Sequence, residues 1–290
     1  MPEPVTTFTA FSQIDLAALP PPDMVEELDF EALNAAIKAE LMGRAPELAA
    51  VLDLESEPVT KLVEAFAYRE MVLRSRINQA GRAVMLAKAA GGDLDQVAAN
   101  LGVIRLEGES DAAFRRRAQL ALEGYSSAGP RGAYIFHAVS ADPRVRDVAV
   151  ESPEPGEVKV TILSADGNGA PAQDLLDAVT ATLNAETVRP LTDLVSVVAA
   201  DITIYAVTAE LTIAEGPDPQ VVIQAALASL QAYGAERRSL GRGATRSGLF
   251  AALHVPGVDD VTLTAPAADV DVSKTESAVM GVATITVAGA

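Results

Sequence analysis

The chain has 290 residues, 40 acidic and 22 basic, for a net charge of −18. That balance argues against nonspecific binding to DNA, RNA or an anionic membrane surface, each of which needs a positive face. Without cysteine or tryptophan, and with two histidines, the composition excludes disulfides, thiolate catalysis and cysteine- or multi-histidine-ligated metals, and leaves little for base stacking. At roughly 150 residues per domain, about two domains are expected. No stretch approaches the roughly 18 apolar residues of a membrane span. Met1 to Leu19 lacks the basic and apolar regions of a secretory signal, so a cytosol-like site of synthesis is expected.

Residues 1–28 read as an acidic, extended N-terminal arm. Glu3, Asp15, Asp23, Glu26 and Glu27 occur without a Lys or Arg, and Pro20, Pro21 and Pro22 favour an extended chain. Two readings stay open: a disordered start, or an arm whose Phe8, Phe11, Ile14 and Leu16 pack on a neighbouring subunit.

Residues 29–125 read as helical. Asp29 can cap a helix carrying Phe30, Leu33, Ile37 and Leu41, with Gly43 as its stop. Pro46 opens a short helix, and Pro58 opens a long one predicted to reach Gly91-Gly92. Its apolar face is Leu62, Phe66, Leu73, Ile77 and Val84, with a second stripe of Val63, Ala67, Met71 and Val72 beside it. That width predicts a bundle, within the chain or shared between chains. Lys61, Arg69, Arg74, Arg76, Arg82 and Lys88 outnumber Glu64 and Glu70 here, against the sign of the whole chain. This is either a solvated face with (i, i+4) pairs or a dock for an acidic partner, the arm of another copy included. Ser110 can cap a last helix with Phe114, Ala118 and Ala121. Its Arg115-Arg116-Arg117 run spans most of a helical circumference and reads as a solvated or interface face.

The breaker-rich link Ser126 to Gly132 marks a boundary. A central α/β domain, 126–199, follows: a short helix, a strand from Val145, a half-buried strand alternating through Val158, Val160 and Ile162, a helix after Pro171, and a strand from Leu194. A C-terminal α/β domain, 200–290, repeats the theme. Ile202 and Ile204 have the opposite parity to Val207, Ala209, Leu211 and Ile213, which predicts a bulge near Ala206. Asp218 caps a helix, and a shorter one reaches Leu253. Pro143 to Val150 echoes Pro256 to Leu263, pairing Val145 with Val258 and Asp147 with Asp260. Two tandem units of related design are expected, so the fold class is α+β with a helical region in front.

Catalytic motifs are scarce. Asp166-Gly-Asn-Gly169 resembles the start of a calcium loop, but the later ligand positions hold Ala170 and Asp177, which favours a surface turn. His137 and His254 sit out of register in the two units and read as structural. The many carboxylates single out no acid/base pair.

Several stretches resemble the baseplate J-like family of contractile-tailed phages. They are Leu48-Ala-Ala-Val-Leu-Asp-Leu-Glu-Ser-Glu-Pro58, Tyr68-Arg-Glu70, Arg74-Ser-Arg-Ile-Asn78, Glu109-Ser-Asp-Ala-Ala-Phe-Arg-Arg-Arg117 and Ser127-Ala-Gly-Pro-Arg-Gly-Ala-Tyr134. The resemblance spans roughly residues 25 to 265. It implies a structural component of the baseplate wedge, in a virion or tail-like particle assembled in the bacterial cytoplasm. Implied partners are other copies of the chain, a second wedge protein, and neighbouring wedges, hub or sheath-initiating proteins, without nucleic acid, membrane or cofactor. The family carries no catalytic residues. Helical segments would pair within a wedge, the C-terminal α/β domains would join wedges into a ring, and the link at Ser126 to Gly132 would serve as hinge. Candidate contact residues are Lys61, Arg69, Arg74, Arg76 and Arg82 on the long helix, and Val145, Asp147, Val258 and Asp260 at the two Pro-led turns. A tail-borne cell-wall hydrolase and a host-surface adhesin are the alternatives.

Overall fold

The computed structural model describes residues 14–16, 18–20, 22–126, 129–216 and 218–288. The first part of the acidic arm, Ser127 and Ala128 of the link, and the last two residues lie outside the described residues. The chain divides into two compact units, with the change at Arg105 and Leu106. Helices and two small mixed sheets make it an α+β protein.

The first unit is helical. Asp29 accepts bonds from the amides of Glu31 and Ala32 and so starts α1, Phe30–Arg44. The helix runs through Gly43 rather than stopping there, and the Ala45 amide still reaches the Leu41 carbonyl. A short 3-10 turn and α2, Ala49–Leu52, lead to α3, Pro58–Ala83. Helix α3 has 26 residues and ends well before Gly91. Tight turns replace its expected last part, the Met85 carbonyl accepting both the Lys88 and the Ala89 amides. The left-handed Gly91 then opens α4, Gly91–Ala99. Val63 and Ala67 of α3 are buried, while Thr60 at its start bonds the carbonyls of α2.

The second unit starts with α5, Asp111–Gly124, capped by Ser110, and α6, Arg131–Ala141. Although sequence grouped α5 with the helical region, it packs on α6 in this unit. Packing spans the link between them. A β-carbon at Gly124 would run into the Phe136 ring, and one at Gly132 into the Glu123 carboxylate.

The central sheet orders β1 (Val145–Glu151), β2 (Glu157–Ser164) and β3 (Leu194–Ala199), with β1–β2 antiparallel and β2–β3 parallel. Helix α7, Gln173–Leu183, links β2 to β3. The expected half-buried alternation of β2 holds only at its start. From Val160 to Ser164 both faces are buried: Val160 and Ile162 join the core with Leu175 and Val179 of α7, and Leu163 on the opposite face packs close to Gly169.

The second sheet orders β5 (Val258–Ala265), β4 (Asp201–Ile213) and β6 (Glu276–Val287), again one antiparallel and one parallel pairing. Helices α8, Pro219–Arg237, and α9, Arg246–Leu253, cover it. The expected irregularity lies where Tyr205 faces Met280 and Val207 faces Ala283, so the extra residue belongs to β6, at Gly281–Val282. The sequence echo is a helix, a Pro-led turn and an edge strand: α6 to β1 in one sheet, α9 to β5 in the other. The chain order around that element differs. The central strand β2 follows its edge strand, whereas β4 precedes its own.

Candidate assembly interface

Helix α3 presents three faces roughly 120° apart, given about 100° of turn per residue. The first, through Val63, Ala67, Asn78 and Gly81, is buried within the chain. Only Val63 and Ala67 of the second stripe read from sequence lie on it; Met71 and Val72 fall on the third face. The second face is apolar and uncovered: Leu62 is 56% exposed, Phe66 59%, Leu73 60%, Ile77 59% and Val84 72%. Single exposed apolar residues are ordinary, but five of them follow one face of α3 and its C-cap as a continuous apolar surface. The third face, with Tyr68, Met71, Val72 and Ser75, forms with Leu28 the wall of a groove of about 340 Å³.

The charges of α3 divide. Lys61, Arg69, Arg76 and Arg82 are exposed, and among the described residues none of them has an acidic partner. Arg69 and Arg76 lie between the apolar stripe and the groove. Arg74 differs, because it bonds Glu26 at 2.7 Å and Glu70 at 2.8 Å. Hydrogen bonds that it donates to Glu26 and Glu70 hold its guanidinium still more firmly protonated than usual. The part of the acidic arm around Glu26 therefore docks on α3 of its own chain. Met24 seats this contact against Gly81, where a β-carbon would come within 2.9 Å of the Met24 methyl.

The residues expected at the Pro-led turns separate in the same way. Val145 is 8% exposed and Val258 7%, each in the core of its own sheet. They are not surface residues, because the first residue of each edge strand points inward. Asp147 is also held within the chain, with Oδ1 accepting from Arg116 at 2.6 Å and Oδ2 from the Leu240 amide at 3.0 Å. Asp260 alone of the four is exposed. Arg117 departs from the solvated reading too: it is buried and forms a two-bonded pair with Glu109, at 2.8 and 2.6 Å. Asn78, Arg146 and Arg238 were not singled out from sequence, and Arg116 only within its arginine run, since their partners lie 31 to 92 residues away.

His137 is partly buried against Phe136, ring centroids 5.3 Å apart, and burial lowers its proton affinity. The Asp166 to Gly169 segment is a turn, the Gly169 amide donating to the Asp166 carbonyl at 3.0 Å. Among the described residues no group of three or more His, Asp or Glu could hold a metal ion, and no helix is long and apolar enough to cross a membrane.

The chain is thus an α+β protein with an uncovered apolar stripe on α3, and comparison with known proteins finds its relatives among phage baseplate proteins. Residues 55–110 match the baseplate J-like N-terminal domain, 126–199 the central domain and 205–288 the C-terminal domain. Baseplate protein J of Escherichia phage P2 is 45% identical over 284 residues, covering 91% of this chain and 94% of that protein. The chain belongs to the baseplate J-like family.

Proposed function

We propose that the chain is a wedge subunit of the baseplate of a contractile tail. It pairs with a second copy through α3, binds a second wedge protein, and contributes its α/β units to a ring around the hub. It acts as a scaffold, not by catalysis, and relays the baseplate opening that precedes sheath contraction. The carrying observation is the uncovered stripe from Leu62 to Val84. Five such side chains, at about 1.5–3 kcal/mol each when buried, stand against an association cost of about 4–15 kcal/mol. A pair of copies buries two such stripes, which covers that cost, and a further partner in the groove adds to it. The four unpaired cations on α3 suit acidic partner surfaces. Arg74 and Asp147 are engaged inside the chain, which leaves Lys61, Arg69, Arg76, Arg82 and Asp260 as the proposed polar contacts.

Absolute mass by light scattering tests this, on the chain alone and co-expressed with the other tail genes of its source. A defined complex holding more than one copy supports the wedge. A monomer under both conditions, at micromolar concentration, overturns it.

A further inference from the structure

The two small sheets look like separable modules, yet their junction is built without slack. Strand β3 ends at Ala199 and β4 begins at Asp201. The one residue between them, Ala200, is buried, and its amide donates to the Ile162 carbonyl of the central sheet at 2.9 Å. The next amide, of Asp201, donates to Thr275 beside the second sheet at 3.3 Å. No linker is left to flex. Gly169 of the central unit also packs close to the start of β4, where a β-carbon would come within 3.3 Å of Ile202.

Two arginines cross this junction in opposite directions. Arg146, on the edge strand β1, donates to the carbonyls of Ala235 and Arg238, each at 2.7 Å. These carbonyls lie at the C-terminal end of α8, where a helix cannot satisfy its own last acceptors. Arg238 in turn donates to the carbonyls of Ser164, Ala165 and Asp166, at 3.2, 3.1 and 3.1 Å, in the turn after β2. Each unit thus completes a chain end of the other. Asp147 adds a third tie, holding Arg116 of α5 with one oxygen and the Leu240 amide after α8 with the other. The arrangement opposes two real costs. Arg146 is partly desolvated and faces the like charge of Arg238, and both effects lower its proton affinity. Five carbonyl bonds and the nearby Asp147 carboxylate offset them.

We infer that the central and C-terminal α/β units are locked by this reciprocal clasp and move as one rigid body. For its consequence in the baseplate the inference rests on the wedge reading: opening must then be taken up elsewhere than between the two sheets. Its test does not depend on that reading, because it needs only the isolated full-length chain.

The chain has no cysteine, so labels can be placed without removing any. Spin labels at Glu186→Cys and Asp260→Cys, exposed sites in the central and C-terminal units, report the distance between them by pulsed electron resonance. A single narrow distance distribution is expected. A broad or two-peaked distribution, recorded with the labelled chain diluted in excess unlabelled chain so that distances between copies are not read, overturns the inference. Adding Arg146→Gln and Arg238→Gln should broaden the distribution while far-ultraviolet circular dichroism stays unchanged. A distribution that remains narrow in the folded quadruple variant overturns the clasp as the lock.

Discussion

Asn78 of α3 grips the backbone of Glu26 from both sides: the Glu26 amide donates to its Oδ1 at 3.1 Å, and its Nδ2 donates to the Glu26 carbonyl at 2.8 Å. Asn78 is buried, whereas the Glu26–Arg74 ion pair beside it is exposed. Exposed pairs contribute little, and buried polar groups cost about 1–3 kcal/mol when left unpaired. Asn78→Ala should therefore release residues 22–28 from α3, and Glu26→Gln should not. Hydrogen exchange read by mass spectrometry distinguishes them: faster exchange across 22–28 is expected in the first variant only. Equal protection in both would remove Asn78 as the anchor.

The stripe on α3 makes a sharper demand. Leu73 and Phe66 sit near its middle and are exposed in the single chain, so charging them should leave the fold intact. In a pair of copies each substitution counts twice. Losing about 1.5 kcal/mol or more of burial per copy weakens association by about a hundredfold, before the cost of a buried carboxylate. Leu73→Asp should shift the sedimentation profile from dimer to monomer with unchanged far-ultraviolet circular dichroism, and its melting temperature should fall only to that of the diluted, monomeric parent chain. Leu62→Asp, one end of the stripe, should do so less. A loss of helical circular dichroism, or a melting temperature below that of the monomeric parent chain, would place the Leu73 side chain in the chain's own core instead.

How far the sequence could be read depends on how local the cause is. The caps at Asp29 and Asp218 were legible because a carboxylate and the amides it takes lie two or three residues apart. The bulge near Ala206 was legible from a change of parity within one strand, though not the fact that its extra residue belongs to β6. On α3 the periodicity shows several apolar stripes, but nothing in one helix says which of them its own chain covers. Leu62, Phe66 and Leu73 read as a face covered in a bundle, within the chain or between chains, and are exposed in the single chain, while the smaller Val63 and Ala67 are buried. Val145 and Asp147, in the repeat, looked like surface contacts. The echo instead marks a shared packing solution, and partners such as Leu240 lie 93 residues away. Arg117 looked solvated because its position on the helix gives no sign that Glu109 folds back onto it.

That Arg117–Glu109 pair leaves little of either side chain in water, 5% and 3%. Both guanidinium bonds are fork-like, and Glu109 also accepts the Leu106 amide at 3.0 Å. Breaking one partner of a buried pair costs about 3–5 kcal/mol, since the other charge is left stranded. Arg117→Ala and Glu109→Ala should each destabilise on that scale in urea unfolding. The double change Glu109→Leu with Arg117→Met should cost clearly less than the two single changes added together. Simple additivity would mean that the two charges act independently.

His137 gives the fold a dependence on mild acid. Burial is the larger influence and lowers its folded proton affinity below the ordinary 6.5, while hydrogen bonding to the Gly124 backbone opposes this more weakly. The unfolded chain then binds a proton at a higher pH than the folded one. Stability is unaffected well above 6.5 and falls as pH drops from 6.5 towards the folded value. Below that value both states are protonated and this contribution stops changing. Phe136 and the Gly124 backbone flank the ring, so the penalty acts where α5 meets α6. Melting curves between pH 7.5 and 5.5 should show a decline that His137→Asn reduces. The carboxylate of Asp142 does not imitate it. Its bond with Arg144 keeps it below its ordinary 3.8, so its own loss of stability comes only at lower pH. A slope between 7.5 and 5.5 that is unchanged in His137→Asn would assign the effect to another group.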